Sequence, residues 1–380
     1  MHNRCGWVVG ATASAFLPLG GPAAAIECEG DAATGFICEP AGPVAVGAVF
    51  ATSGSDARRN ISIAVVTELI EEEGEEIGQG AGDGLPLEVF ATLLYGDRDQ
   101  DAQNLPGLES DTWGGVLGVG WRGHEYFAGA AIDYSSEDAD FDEDAGSQDT
   151  DELGIQVFGT WMPRAVSGLY VSAVARYSGM DIETSRTFLT DPSALTTENQ
   201  GLLNTARGST DGRAFGLTGG AGYSLELQPG TMLSIEGWLA WQDIAVDGYT
   251  EQGAIAQGGG GQTGNLRFDD DDYSTLDGIL TATLQQVIPM PSGRLIPGVS
   301  VSYVHEFDSD TRTVDAVLAG APDQEVVFRT NRADRDYFRL GAFLSAELRA
   351  GTSVMLTYSG TVGHDWRQEN LVTLGVSQAF

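Results

Sequence analysis

From about Leu85 onward the chain repeats one phrase. Roughly ten residues alternate apolar with small or polar side chains, a turn signal follows, and the phrase returns. "LPLEVFATLLY" places Leu87, Val89, Ala91, Leu93 and Tyr95 on one face of a strand. "DTWGGVLGVGW" does the same with Trp113, Leu117, Val119 and Trp121, and "ELGIQVFGTW" with Leu153, Ile155, Val157 and Trp161. The phrase recurs about twelve times, an even number of the kind a closed single-chain membrane barrel uses. Its last occurrence, "ENLVTLGVSQAF", puts Val372, Leu374, Val376 and Phe380 on one face. That face asks for an apolar medium up to the final residue, where a soluble domain would fray.

Two architectures satisfy a repeated two-residue period: a soluble sandwich, and a barrel that crosses a membrane on strands. Aromatic residues begin or end many of the apolar faces, among them Tyr95, Trp113, Trp121, Tyr126, Tyr134, Trp161, Tyr177, Trp241, Tyr303 and Tyr358. Such rings form the interfacial girdles of membrane barrels. The opposite faces carry Gly, Ser and Thr with scattered charges, including Asp133, Arg176, Glu226, Glu236, Arg339, Glu347 and Arg349. In a barrel these face a polar lumen. Connections also alternate: short ones at "RGH", "PRAVSG", "QPG", "IPMPSG" and "RAG", long ones at about Gly96–Ser110, Ser135–Thr150, Met180–Thr210, Asp247–Asp272 and Asp308–Arg335. Short periplasmic turns and long outer loops are the membrane-barrel pattern. The expected fold is therefore all-β, an antiparallel up-and-down transmembrane barrel of about twelve strands in the lipid bilayer of an outer membrane. Its last strand pairs with its first, because an unpaired edge in lipid costs several kcal/mol per backbone group.

The N-terminus reads as an export signal. "MHNR" supplies a basic start, "CGWVVGATASAFLPL" an apolar run, and "GPAAA" small residues that place cleavage after Ala25. The run is too short and too rich in Gly and Ala to span well. Cys28 and Cys38 then remain in an exported compartment where a disulfide between them persists. Net charge is −36, and all 19 basic residues are Arg, which excludes nucleic acid binding through a basic surface.

Ser55 to Gly78, "SDARRNISIAVVTELIEEEGEEIG", is the one helical candidate, against a strand or a linker. Val65/Leu69 and Val66/Ile70 have helical spacing, and Ser55 is placed as an N-cap. About 18 helical residues span roughly 27 Å, close to a ~25 Å apolar band. Arg58 and Arg59 near its start and the glutamates from Glu71 to Glu76 near its end oppose the helix dipole. Pairing with lumenal Glu and Arg would compensate them.

"GRLIPGVSVSYVHEF", "DYFRLGAFLSAELRAGTSVMLTYSG" and "NLVTLGVSQAF" together resemble the C-terminal translocator barrel of autotransporters, more weakly as far back as Leu85. The stretch Tyr303–His305–Glu306–Phe307, the Arg339–Leu340–Gly341 stretch and the Leu374–Gly375 to Phe380 ending carry the likeness. The resemblance implies a monomeric twelve-stranded barrel in a Gram-negative outer membrane, a helix in the pore, and type V secretion of an N-terminal passenger. It also implies that Val372, Leu374, Val376 and Phe380 are read as a signal by the barrel-assembly machinery, after escort by periplasmic chaperones. Gln378 departs from the family's closing signature, which usually has an apolar residue there. The implied division is a signal peptide over 1–25, a short passenger-like segment over 26–54, a pore helix or linker over 55–84, and the barrel over 85–380. Such a chain exports or displays a short segment. The alternative is a structural or pore-forming barrel whose lumen is plugged and which exports nothing.

Catalytic and metal readings are weaker. The carboxylate-rich stretches Glu137–Glu152 and Phe268–Asp272 supply oxygen ligands for Ca²⁺ or Mg²⁺, but the first lacks the spacing of a calcium loop. A solvated outer loop is the plainer reading. Gln257–Gly264 is Gly-rich but ends in no Lys, so it is not a phosphate cradle. His364–Asp365 resembles the His–Asp pair of omptin-type outer-membrane proteases, which have ten strands. His124 and His305 sit at strand ends as interfacial residues. The expectation is no enzyme, no cofactor and no metal site.

Overall fold

A computed structural model of the chain describes residues 25–31, 35–41, 87–101, 106–123, 125–142, 145–189, 203–254, 264–307, 313–329, 335–348 and 351–380. The segment Ser55–Gly78, residues 1–24 of the expected signal peptide, His124 and Arg349 lie outside the described residues.

Twelve long strands form one antiparallel sheet closed on itself. They are β3 (Leu87–Gln100), β4 (Leu108–Arg122), β5 (Tyr126–Phe141), β6 (Gly146–Trp161), β7 (Leu169–Leu189), β8 (Leu203–Gln228), β9 (Thr231–Val246), β12 (Asp271–Gln286), β14 (Gly293–Glu306), β17 (Asp336–Leu348), β18 (Thr352–Val362) and β19 (Arg367–Ala379). Neighbours in sequence are neighbours in the wall, and β19 pairs with β3 to close it. Short turns occupy one end. At Gln228–Thr231, Gly230 has φ +78°, the conformation that the last position of a Pro-Gly turn requires.

Alternate burial along each strand separates an outward from an inward face. On β3, Leu87, Leu93 and Tyr95 are exposed, whereas Glu88, Phe90, Thr92 and Leu94 are buried. The outward set is the lipid face. Leu87 to Tyr95 covers about 26 Å of strand, or about 20 Å of height at the ~40° tilt of such barrels. At the far end the girdle is built as a device: Tyr95 donates its hydroxyl to Asp111 Oδ1 at 2.7 Å, Tyr134 to Asp151 at 2.6 Å, and Tyr358 to Asn370 at 2.8 Å. Tyr303 makes the same bond to Asp336. Each ring stays in the apolar belt while its hydroxyl meets the first polar row above it. Trp113 packs on Tyr134 at 5.3 Å and Phe215 on Trp241 at 5.8 Å in the same band.

The strands continue past this girdle. The long connections expected at Ser135–Thr150 and Met180–Thr210 are largely strand, since β5 runs to Phe141, β6 starts at Gly146, and β7 and β8 pair as far as Leu189 and Leu203. Above the girdle the outward face turns acidic while the inward face stays buried, with Ala139, Phe141, Met180 and Ile182 set among Glu137, Gln148 and Arg186. A solvated strand keeps only its inward signal.

Two of the long connections fold into a second sheet. β10 (Tyr249–Thr250), β11 (Leu266–Phe268), β15 (Thr313–Leu318) and β16 (Ala321–Arg329) pair in that order. An N-terminal hairpin of β1 (Ala25–Asp31) and β2 (Gly35–Ala41) continues this sheet, with Cys28 opposite Cys38. β2 runs parallel to β16, where Cys38 faces Val326. The remaining short strand, β13 (Ile288–Met290), extends the turn before β14.

Candidate functional site

The site is the barrel's lumen and its outer mouth. Arg176 on β7 is buried at 4% exposure in the wall behind the lipid-facing Ile155 and Tyr177. Its Nη1 donates to Glu152 Oε1 on β6 at 2.7 Å and to Ser178 at 3.1 Å. Its Nε lies 3.1 Å from Asp133 Oδ2 on β5, and Nη2 pairs with the same carboxylate. The reach from β7 to β5 crosses β6 at Gly154. A Cβ there would stand 2.5 Å from Asp133 Oδ2 and 2.8 Å from Arg176 Nη2, so only Gly leaves room for the pair. Lone buried charges are costly, and this guanidinium balances two carboxylates with fork geometry that a lysine lacks.

Similar ties run around the bore. Arg98 pairs with Glu137, Arg122 with Glu88 at 3.3 Å, and Arg294 with Glu347. Arg339 lies 3.9 Å from Glu369, and Arg367 lies 3.5 Å from Glu306. Of the other residues expected in the lumen, Glu236 accepts from the Trp238 indole N–H at 2.9 Å. Glu226 sits at the exposed short-turn rim, where it accepts from the Gly230 N–H at 3.2 Å.

The lumen is not uniformly polar. Phe90, Phe127, Phe158, Val174, Trp238 and Tyr337 form a buried inward cluster. Inward-facing rings lie along the wall because glycines face them across strand pairs. Phe90 is the cross-strand partner of Gly118, Phe158 of Gly129, Trp238 of Gly220, Tyr170 of Gly222 and Phe343 of Gly298. In each case ring atoms lie 2.1–2.5 Å from where a Cβ would stand. The abundance of Gly on inward faces thus has a packing cause that requires knowledge of register, which the sequence does not display.

At the outer mouth the second sheet packs on the inner face of the extended wall. Tyr249, Leu266, Phe268, Val314, Val326 and Phe328 join Leu108, Phe141, Met180, Ile182 and Ile244 in one apolar core. Tyr249 stacks on Phe268 at 4.8 Å, and Phe268 on Phe328 at 5.9 Å. A buried bidentate pair fastens it: Arg186 Nε and Nη2 reach Glu251 at 3.0 and 2.5 Å. Glu251 also accepts from the Leu266 N–H at 2.8 Å, and Arg186 donates to the Gly264 carbonyl at 2.7 Å. The lengths of these connections in the sequence suggest long outer loops, and the structure instead folds described stretches of them into strands. The alternation of Val314, Ala316 and Leu318, then Val326 and Phe328, is the signal that could have identified the hairpin.

The histidine of the His364–Asp365 pair caps a turn. His364 Nδ1 accepts the backbone N–H groups of Trp366 and Arg367 at 3.3 and 3.1 Å, and its ring packs on Tyr337 at 5.1 Å. That is the work of a turn cap. His305 instead bonds Asp336 at 2.8 Å on the exposed outer rim. Among the described residues no group of three or more His, Cys, Asp and Glu is placed to hold a metal ion.

Residues 89–359 match the family model described as the autotransporter β-domain. The chain belongs to the autotransporter β-domain family. Among solved structures it is similar to the translocator domain of the autotransporter NalP from Neisseria meningitidis, with 17% identity and a TM-score of 0.65. That likeness covers 88% of this chain and 99% of the other. It is also similar to the β-domain of the Bordetella autotransporter Brka, with 16% identity, a TM-score of 0.52, and coverage of 77% and 99%. No curated protein sequence matches. At these identities the structures speak for the fold, and the family match makes this autotransporter β-domain an outer-membrane barrel of the translocator type.

Proposed function

We propose that this autotransporter β-domain carries its own N-terminal segment through the lumen and displays it at the cell surface. The observation that carries this reading is topological. The hairpin ending at Ala41 joins the sheet built from the long outer connections, whereas β3 begins at Leu87 opposite Trp121, at the short-turn end. On the proposed reading residues 42–86 run between these two ends; passage through lipid would strip their backbone of hydrogen-bond partners, so the reading routes them through the lumen. A ~25 Å crossing takes roughly 17 helical or about 8 extended residues, and Ser55–Gly78 supplies them.

On this reading a signal peptide is removed after Ala25, and Ile26–Gly54 is the displayed segment, with Cys28–Cys38 as its disulfide. The barrel is a monomer, delivered by periplasmic chaperones and inserted by the barrel-assembly machinery acting on Val372, Leu374, Val376 and Phe380. Its role is export and display, without catalysis. The packed outer sheet favours one second reading, a plugged structural barrel that exports nothing. Planar-bilayer conductance tests the threaded lumen: full-length protein should conduct weakly, and deletion of Ile26–Gly80 should raise conductance severalfold. Equal conductance would exclude an N-terminal segment in the bore.

A further inference from the structure

Outside the barrel, above the outer girdle, the strands curl around a polar hollow of about 800 Å³. Its floor is the outward face of β6, β7 and β8: Ser147 and Asp149, Glu183 and Ser185, then Arg207 and Ser209. The chain after β10 forms the fourth wall, where Gln252 exchanges both backbone hydrogen bonds with Arg207 at 2.8 Å. Register sets these side chains in two rows, Ser147–Ser185–Arg207 and Asp149–Glu183–Ser209.

We propose that this hollow binds a neutral, hydroxyl-rich stretch of the oligosaccharide of the glycolipid that forms the outer leaflet around the barrel. The first argument is unspent hydrogen-bonding capacity. Ser147 and Ser185 share one hydroxyl contact at 2.9 Å. The side chains of Asp149, Glu183, Arg207, Ser209 and Gln252 make no hydrogen bond or ion pair among the described residues. Acceptors and donors stand side by side, so the ligand must both donate and accept. The second is charge. Asp149 and Glu183 are direct cross-strand neighbours and repel a phosphate or another bare anion, while Arg207 stands against a simple cation. Vicinal hydroxyls satisfy both sets. The third is position. Asp149 lies four residues above the lipid-facing Leu153, and Arg207 eight above Phe215. The hollow therefore opens sideways roughly 10–20 Å above the apolar belt, where membrane sugars stand. Its volume is within the usual range for small-ligand sites.

The inference is independent of export. Its test is calorimetric titration of the full chain in detergent with the oligosaccharide released from the outer-membrane glycolipid by mild acid. Binding to the native chain, weakened at least tenfold in Arg207→Ala and in Glu183→Ala, is the expected result. Ser209→Ala, which removes one hydroxyl at an exposed site, should weaken it less and guards against loss of folding. Retention of the folded, heat-modifiable band in electrophoresis verifies each variant. Absence of binding, or equal binding by Arg207→Ala and Glu183→Ala, overturns the site. Equal binding of maltoheptaose overturns its assignment to the membrane glycolipid, and binding of inorganic phosphate alone overturns the saccharide chemistry.

Discussion

The backbone N–H of Phe380 donates to the carbonyl of Leu87 at 2.9 Å. The last residue thus pairs with the first residue of the barrel, while its side chain stays 77% exposed toward lipid. The alternation of outward Val372, Leu374 and Val376 with inward Thr373, Gly375 and Ser377 is the seam of a closed wall.

A charge placed on the lipid face of that seam should be costly and one on the lumen face tolerable. Val376→Arg, paired with Ala91 and Val354 near mid-height, should lose about 2–4 kcal/mol. Thr373→Arg should lose markedly less. Urea unfolding in lipid vesicles compares them.

The Arg176 cluster gives a second prediction. Asp133→Ala leaves a buried guanidinium half-paired and should cost about 3–5 kcal/mol, whereas replacing all three members, Arg176→Met with Asp133→Leu and Glu152→Gln, should recover most of the loss. Gly154→Val should cost about as much as Asp133→Ala, because its side chain fills the space the ion pair crosses.

Aromatic–glycine pairing gives a third. Gly118→Ala puts a Cβ 2.2 Å from Phe90 Cζ and should destabilise the wall by about 1–3 kcal/mol. Adding Phe90→Ala should make the second substitution nearly free of further coupling cost, which a double-mutant cycle measures.

Above the girdle, Asp149 faces Asp138 and Glu183 across its neighbouring strands. Desolvation, then repulsion by Asp138 and Glu183, raises its pKa above the usual aspartate value. A raised folded pKa means a stabilising contribution fully present below the unfolded value and lost as pH rises through the folded one. The outer hairpin should therefore tighten as pH falls from neutral toward 4, read as slower hydrogen exchange after correction for intrinsic rates. Asp149→Asn should flatten that dependence.

Much of the barrel was legible because lipid imposes its period on every spanning strand, whatever its register: Leu87 to Tyr95 and Leu153 to Trp161 read outward on sight. That signal stops where the lipid stops. Asp138, Asp140, Asp149 and Asp151 face solvent, so Glu137–Glu152 looks like a loop although its described residues pair as a hairpin held by inward Ala139 and Phe141. The lumen was legible in its charges and not in its partners. Arg176 stands out in the sequence, but its reach to Asp133 depends on Gly154 between them, a relation set only by sheet register. The Arg186–Glu251 latch joins residues from separate connections and has no local signal at all.

The central claim is that the N-terminal segment reaches the outer face. An epitope tag inserted after Cys38, with protease added to intact cells, tests it most directly. Export predicts loss of the tag from whole cells while the barrel band survives. A tag protected until the outer membrane is permeabilised would contradict the claim and leave a plugged barrel.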